Sequence, residues 1–194
     1  MRKRGLDFRK KRKKTNHAKI IRELSSWAFW IVLPIFAAVA IMYAFGFRTN
    51  VIGNAMEPGL YPNQQIMINR LVYQISEPKR GDVIAFLPNG NDNSHYYIKR
   101  VIAMPGETVR ITDGLIYING ERFVEEGDYD KIAVPGIAEN EIKLSDDEYF
   151  VLGDNRNFSE DSRSGNIGPV RESYIIGKVW FKLSKKLENM GFVK

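Results

Sequence analysis

Lys99 lies inside the run Tyr97-Ile98-Lys99-Arg100-Val101-Ile102. Alternate residues of a strand face opposite sides, so Lys99 shares a face with Tyr97 and Val101, and Arg100 goes the other way. An amine pressed among apolar groups favours its neutral form, because burial penalises the ammonium. Neutrality near pH 7–8 takes a shift of ~2–3 units, roughly 3–4 kcal/mol, and yields a base able to take a proton from a serine hydroxyl. A surface lysine that lays its stem along the sheet is the plainer alternative, and this strand by itself favours it. Earlier in the chain, Gly53, Pro58 and Gly59 shape Asn54-Ala55-Met56-Glu57-Pro58-Gly59-Leu60 into a tight loop. Such a loop can aim a backbone amide at a developing oxyanion, as acyl transfer requires. Its residue 55, however, is alanine, a methyl group with no chemistry. A third stretch, Gly153 to Arg163, collects Asp154, Arg156, Ser159, Asp161 and Arg163 around a predicted turn. Other chemistries are closed. With no cysteine there is neither a disulfide nor a thiolate nucleophile or ligand. Of two histidines, His17 falls in a basic tail, so a Ser-His-Asp triad would have to use His95, and a multi-His zinc site is excluded.

Something must hold these stretches. Residues 27–47, Trp27 to Phe47, carry no charged side chain. At ~1.5 Å per residue such a helix spans about 30 Å, the thickness of a bilayer's hydrocarbon core. Trp27 and Trp30 near one end, with Tyr43, Phe45 and Phe47 near the other, suit the two interfaces. Pro34 is tolerable in a membrane helix and is expected only to kink it. A cleaved secretory signal would have a shorter apolar core and a small-x-small site, for which Ala44-Phe45-Gly46 is a poor match, so a retained anchor is expected. Residues 1–24 hold eleven Lys and Arg against Asp7 and Glu23, a balance of +9 that leaves −3 of the chain's +6 for the rest. A basic run can mark nucleic-acid binding. Here the apolar segment directly behind it favours a cytoplasmic membrane surface and no nucleic acid. The same asymmetry puts the N-terminus in the cytoplasm and everything from about Arg48 outside. The expected organisation is therefore a basic cytoplasmic tail at 1–26, a transmembrane helix at 27–47 and one external domain at 48–194.

That domain has the pattern of a mainly β body. Gln65–Asn69 and Asp82–Phe86 are short apolar runs between turn residues. Val109–Thr112 and Leu115–Ile118 flank Asp113-Gly114, a strong hairpin signal, and Asn119-Gly120 predicts a second tight turn. Glu148–Leu152 and Ile175–Phe181 are further strands. Residues 121–147 form a loop-rich insertion, acidic and turn-rich over 125–147, with no helical period. Many short strands in a body of this size predict a β-sandwich or a partly open barrel.

In this order behind one anchor, the loop 54–60, the stretch Tyr97 to Glu107 and the stretch Gly153 to Arg163 resemble the sequence boxes of bacterial type I signal peptidases. These are membrane-bound serine proteases with a Ser–Lys dyad, and Arg80-Gly81-Asp82 resembles a further box of the family. The family's first box is Ser-Met-x-Pro-Thr-Leu, so Ala55 stands at the nucleophile and Gly59 where threonine is usual. The resemblance implies that residue 55 as serine attacks, that Lys99 takes its proton, and that the Ser159 hydroxyl holds the Lys99 amine. It makes the residue-55 amide an oxyanion donor, and leaves Gly53 where some relatives add a hydroxyl. It places Met56, Leu60, Tyr97 and Ile98 beside the substrate, with Asp161 and Arg163 bracing the site. No metal or cofactor is implied. The implied partners are signal peptides of secreted preproteins, the cytoplasmic membrane and the secretion translocon. Asn157-Phe158-Ser159 also fits a glycosylation sequon, set aside because a glycan would block the proposed site. With Ala55 the chain is expected to be inactive. The favoured account is a deliberate Ser→Ala change; the alternative is a natural non-catalytic binding or assembly protein. A Ser–Lys repressor-type autoprotease would need an N-terminal helix-turn-helix, where this chain has a tail and an anchor.

Overall fold

The computed structural model describes residues 17–45, 47–184 and 190–193. Most of the basic tail, residues 1–16, lies outside the described residues, as do Gly46, 185–189 and Lys194. The chain divides into two compact units, residues 1–40 and 41–194.

Helix α1 spans His17–Phe45 with Pro34 inside it. It begins ten residues before Trp27 and stops before Phe47, so the helix and the uncharged run 27–47 overlap without coinciding. Lys19, Arg22 and Glu23 are good helix formers and extend the helix beyond the uncharged run. Phe47 instead opens a strand. The stretch Ile21–Ile41 is long and apolar enough to cross a membrane, and none of it is buried.

The second unit is mainly β, as expected. In chain order its strands are β1 (Phe47–Asn50), β2 (Gln65–Asn69), β3 (Val83–Phe86), β4 (Tyr97–Ala103), β5 (Thr108–Thr112), β6 (Leu115–Ile118), β7 (Glu121–Arg122), β8 (Ile142–Lys143), β9 (Glu148–Leu152), β10 (Val170–Arg171), β11 (Ile175–Leu183) and β12 (Gly191–Phe192). A one-turn helix α2 (Val72–Ile75) follows β2. The larger sheet runs β1-β2-β11-β3-β4-β9-β10, with β12 also on β11; the smaller runs β7-β6-β5-β8. Register shifts at Val179/Phe181, Ile175/Gly177 and Val101/Ala103 bend the larger sheet. Its end strands β1 and β10 do not meet, so it is a curled, open barrel rather than a closed one. The Asp113-Gly114 and Asn119-Gly120 pairs all have positive φ, 55° and 76°, then 52° and 80°, which is what two-residue hairpin turns require.

The apolar residues sort into three groups. Val109, Ile111, Ile116 and Ile118 of the smaller sheet pack with Ile102, Phe150 and Leu152 of the larger one. Val51, Met56, Leu60, Ile66, Ile68, Val83, Ala85 and Ile98 form a second group, and Ile84, Phe86, Val101, Tyr149 and Val151, with Tyr97 beside them, a third. Alternate residues of β4 thus serve different groups, with Ile98 in one and Tyr97 and Val101 in another, as the period of two predicts. The 125–147 segment is loop with a single 3-10 turn at Gly136–Glu139 and the short β8. It is nonetheless anchored: Ile132, Ala138 and Leu144 are buried in the first group.

Candidate active site

Lys99 sits in the middle of β4, opposite Ile84 of β3 in an unbroken antiparallel register. Only 4% of its surface is exposed. Its ammonium site lies 5.5 Å from the centre of the Tyr97 ring, so the two share a face. Burial pushes the amine down to about 8, against the upward pull of Asp161 and Glu160. That is the direction and size a general base needs, and the snorkelling alternative fails on the burial.

The residue-55 loop is held from both sides. Leu60 N–H donates to Met56 O at 2.8 Å and Glu57 N–H to Asn54 O at 3.1 Å. From the third stretch, Asn155 N–H donates to Ala55 O at 3.0 Å, and the Asn155 side-chain amide to Asn54 O at 3.2 Å. The Ala55 N–H makes no hydrogen bond among the described residues. A free amide at this point is what an oxyanion donor would be. Gly53 adopts φ +73°, strained for any residue with a side chain, although a Cβ there would touch nothing.

Ala55 and Lys99 line one cavity of about 340 Å3, together with Val51, Ile52, Met56, Tyr97 and Ile98. Four of the predicted site residues besides Lys99 (Ala55, Met56, Tyr97 and Ile98) therefore line the same cavity. Leu60 does not reach it. It is buried beneath the loop and borders a separate cavity with Gly59, Arg100 and Asp154. Nor does Ser159, which borders a third cavity beside Arg163. Its Oγ is buried with no hydrogen-bond partner among the described residues. Gly153 lies between the two: a Cβ there would overlap both Ser159 Oγ and Ala55 O. The absence of a side chain at 153 is what lets the Ser159 turn and the Ala55 loop touch.

Asp161 and Arg163 form a buried bidentate pair, Nε–Oδ1 and Nη2–Oδ2 both at 2.8 Å. Asp161 also accepts from Gly153 N–H at 3.0 Å, and Arg163 donates to Arg156 O at 2.6 Å, which fixes the turn. A second fork joins Arg100 to Asp154, two bonds of 2.7 Å. A third joins Arg156 to Glu125, two bonds of 2.5 Å, and brings the insertion onto the turn. The insertion is tied there again by Asn157, which accepts from Ala133 N–H and donates to Lys131 O. Doubly bonded guanidinium–carboxylate pairs give direction as well as energy. Glu125 and Glu160 were invisible in the sequence, since nothing local marks an acidic loop residue as a partner. Glu160 lines the cavity and accepts from the Tyr97 hydroxyl at 3.3 Å, and His95, the sole triad candidate, lies on the same rim. Among the described residues no cluster of His, Asp and Glu could hold a metal ion.

Comparison with known proteins gives the constellation a family. The family model "Signal peptidase, peptidase S26" matches residues 24–184. Signal peptidase I T of Bacillus subtilis (strain 168) is 33% identical over 176 residues, covering 85% of this chain and 90% of that protein. A probable signal peptidase I-2 of Synechocystis sp. is 37% identical over 164 residues, covering 79% of this chain and 72% of that protein. A crystal structure of a signal peptidase I from Enterococcus faecalis V583 aligns at TM-score 0.42 and 32% identity, over 54% of this chain and 98% of that one. The three boxes resemble those of this family in order, and the matched region takes in most of the apolar helix, the loop, the lysine strand and the turn: the chain belongs to the signal peptidase family, peptidase S26.

Proposed function

We propose that this chain is a type I signal peptidase body whose cavity receives the signal-peptide end of secreted preproteins, and that with Ala55 it holds that segment without cutting it. The observation that carries the reading is the shared cavity. A buried, readily neutralised Lys99 and the loop residue that should bear the nucleophile line one cavity, beside an unbonded Ala55 N–H. The bound segment is extended, with small residues at the first and third positions before the cut. It adds to the open side of the sheet, where β1 runs into wall residues 51–54. With serine at 55, its Oγ attacks the scissile carbonyl while Lys99 accepts the proton and passes it to the departing amine. Ser159, buried and without a partner, is assigned the hydroxyl that orients the amine, and the Asp161–Arg163 pair braces its turn. The basic N-terminal residues stay in the cytoplasm, the apolar helix crosses the cytoplasmic membrane, and residues from 48 work at its outer face. The secretion translocon that delivers preproteins there is the expected neighbour.

The test is processing of a purified preprotein by detergent-solubilised protein. As written, the chain should bind a signal peptide and leave it intact. Removing the nucleophile of a serine protease costs ~10⁶-fold in turnover while binding survives. Ala55→Ser should switch on cleavage after a small-x-small motif, and adding Lys99→Ala should abolish it. If Ala55→Ser binds the peptide and still does not cut, the dyad assignment fails.

A natural non-catalytic binder is the second reading, and Gly59 favours it. A Cβ at 59 would lie 2.6 Å from Asp154 Oδ2, a carboxylate itself pinned by Arg100. The loop is therefore packed around glycine at the position where the family's threonine is usual, a change beyond the loss of one hydroxyl.

A further inference from the structure

Without a hydroxyl at 55, the strongest nucleophile left on the cavity wall is the Lys99 amine. It makes no hydrogen bond or ion pair among the described residues, and its side chain is 4% exposed. The charged and titratable groups around it are Asp154, Glu160, Asp161 and Arg163 of the turn and His95, Tyr96 and Tyr97 at the approach to β4. Among the described residues none of the carboxylates comes within salt-bridge distance of it, and its ring contact with Tyr97 at 5.5 Å leaves the lone pair open. Burial favours the neutral amine, whose lone pair is the reactive form. Desolvated lysines of this kind form imines with carbonyl compounds.

We propose that Lys99 is a covalent capture site for peptides ending in an aldehyde, with the aldehyde carbon where the scissile carbonyl of an ordinary substrate would lie. The inference rests on reading the cavity as the signal-peptide cleft. The amine lone pair attacks the aldehyde carbon, an N–C bond forms, and the carbonyl oxygen takes up the proton that nitrogen gives away. The carbinolamine then loses its hydroxyl as water, with the second amine proton, and leaves C=N. Nothing is oxidised or reduced, and the only leaving group is water. The unbonded Ala55 N–H on the same wall is the donor available to the carbonyl oxygen during addition. An ordinary peptide amide, far less electrophilic, binds without reacting.

The experiment uses the full chain in detergent with an alanyl-x-alanine peptide aldehyde and its matched carboxamide. Binding of the carboxamide is measured first. The aldehyde is then added with sodium cyanoborohydride as the reductant that fixes any imine, and the adduct is mapped by mass spectrometry. The expected result is one saturable adduct, on Lys99, suppressed by excess carboxamide. In Ala55→Ser the hydroxyl diverts the aldehyde into a hemiacetal, and the lysine adduct falls about tenfold. Lys99→Gln gives no adduct. A carboxamide that binds while the aldehyde leaves Lys99 unmodified, or labels the surface lysines evenly, overturns the capture site and spares the cleft. A carboxamide that does not bind overturns both.

Discussion

Replacing Lys99 by methionine should stabilise the fold at neutral pH, and the gain should vanish in alkali. The side chain is 4% exposed, and its amine falls from 10.5 to about 8 on folding, chiefly through burial. That difference of about 2.5 units corresponds to about 3 kcal/mol between the charged and neutral forms. Below pH 8 both states carry the proton and the folded state bears the full cost. Between pH 8 and 10.5 the unfolded chain binds more protons than the folded one, so stability rises with pH. Above 10.5 both are neutral and the cost is gone. Methionine fills similar volume without a charge, so Lys99→Met should gain about 3 kcal/mol at pH 7, about 2 at pH 9 and almost nothing near pH 11. Urea unfolding of the detergent-solubilised chain, with both proteins run at each pH, measures the difference and cancels the titration of the tyrosines and other lysines. A difference that stays flat from pH 7 to 11 would show that the amine already sees bulk water, and would refute the desolvation on which the base assignment rests.

Further outcomes follow from the braces of the site. Arg163→Met should cost about 3–5 kcal/mol in the same unfolding assay, because it strands the fully buried Asp161 carboxylate. Gly153→Ala should abolish signal-peptide binding and lower stability by more than about 2 kcal/mol, since its methyl overlaps Ser159 Oγ and the Ala55 carbonyl; calorimetry and peptide titration read both. In an Ala55→Ser background, Gly59→Thr should lower cleavage rather than raise it, because the new Cβ lies against Asp154 Oδ2; a preprotein processing assay decides.

Much of this site was legible in the sequence because its parts are local. The period of two around Lys99 fixed its face, the Asp113-Gly114 and Asn119-Gly120 turns announced their hairpins, and the Gly153–Arg163 stretch contained both halves of the Asp161–Arg163 pair. What escaped was whatever depends on a distant partner. The Arg156–Glu125 fork, the Arg100–Asp154 fork and the Tyr97–Glu160 bond join residues whose neighbours say nothing of them. Gly59 looked like a lesion in a motif, and only the position of Asp154 shows why a side chain is excluded there. The resemblance alone set Leu60 beside substrate and Ser159 beside lysine; in the fold each borders a cavity other than the one Lys99 lines. Helix α1 starts before the uncharged run because such a run marks what a bilayer accepts, whereas helix propensity continues past it.

The hydrogen bonds from Asn155 to Ala55 O and Asn54 O close a loop of about a hundred residues. During synthesis, the segment that would hold substrate emerges early and stays unsupported until the turn at 153–163 has followed it. Loop closure over that span is slow compared with the hairpins of the smaller sheet, which can form within their own neighbourhood. The cleft should therefore be among the last features to mature, after most of the second unit has left the ribosome. A nascent chain halted before residue 153 should hold protected hairpin amides and an open 53–60 loop, a state that hydrogen exchange on stalled chains would resolve.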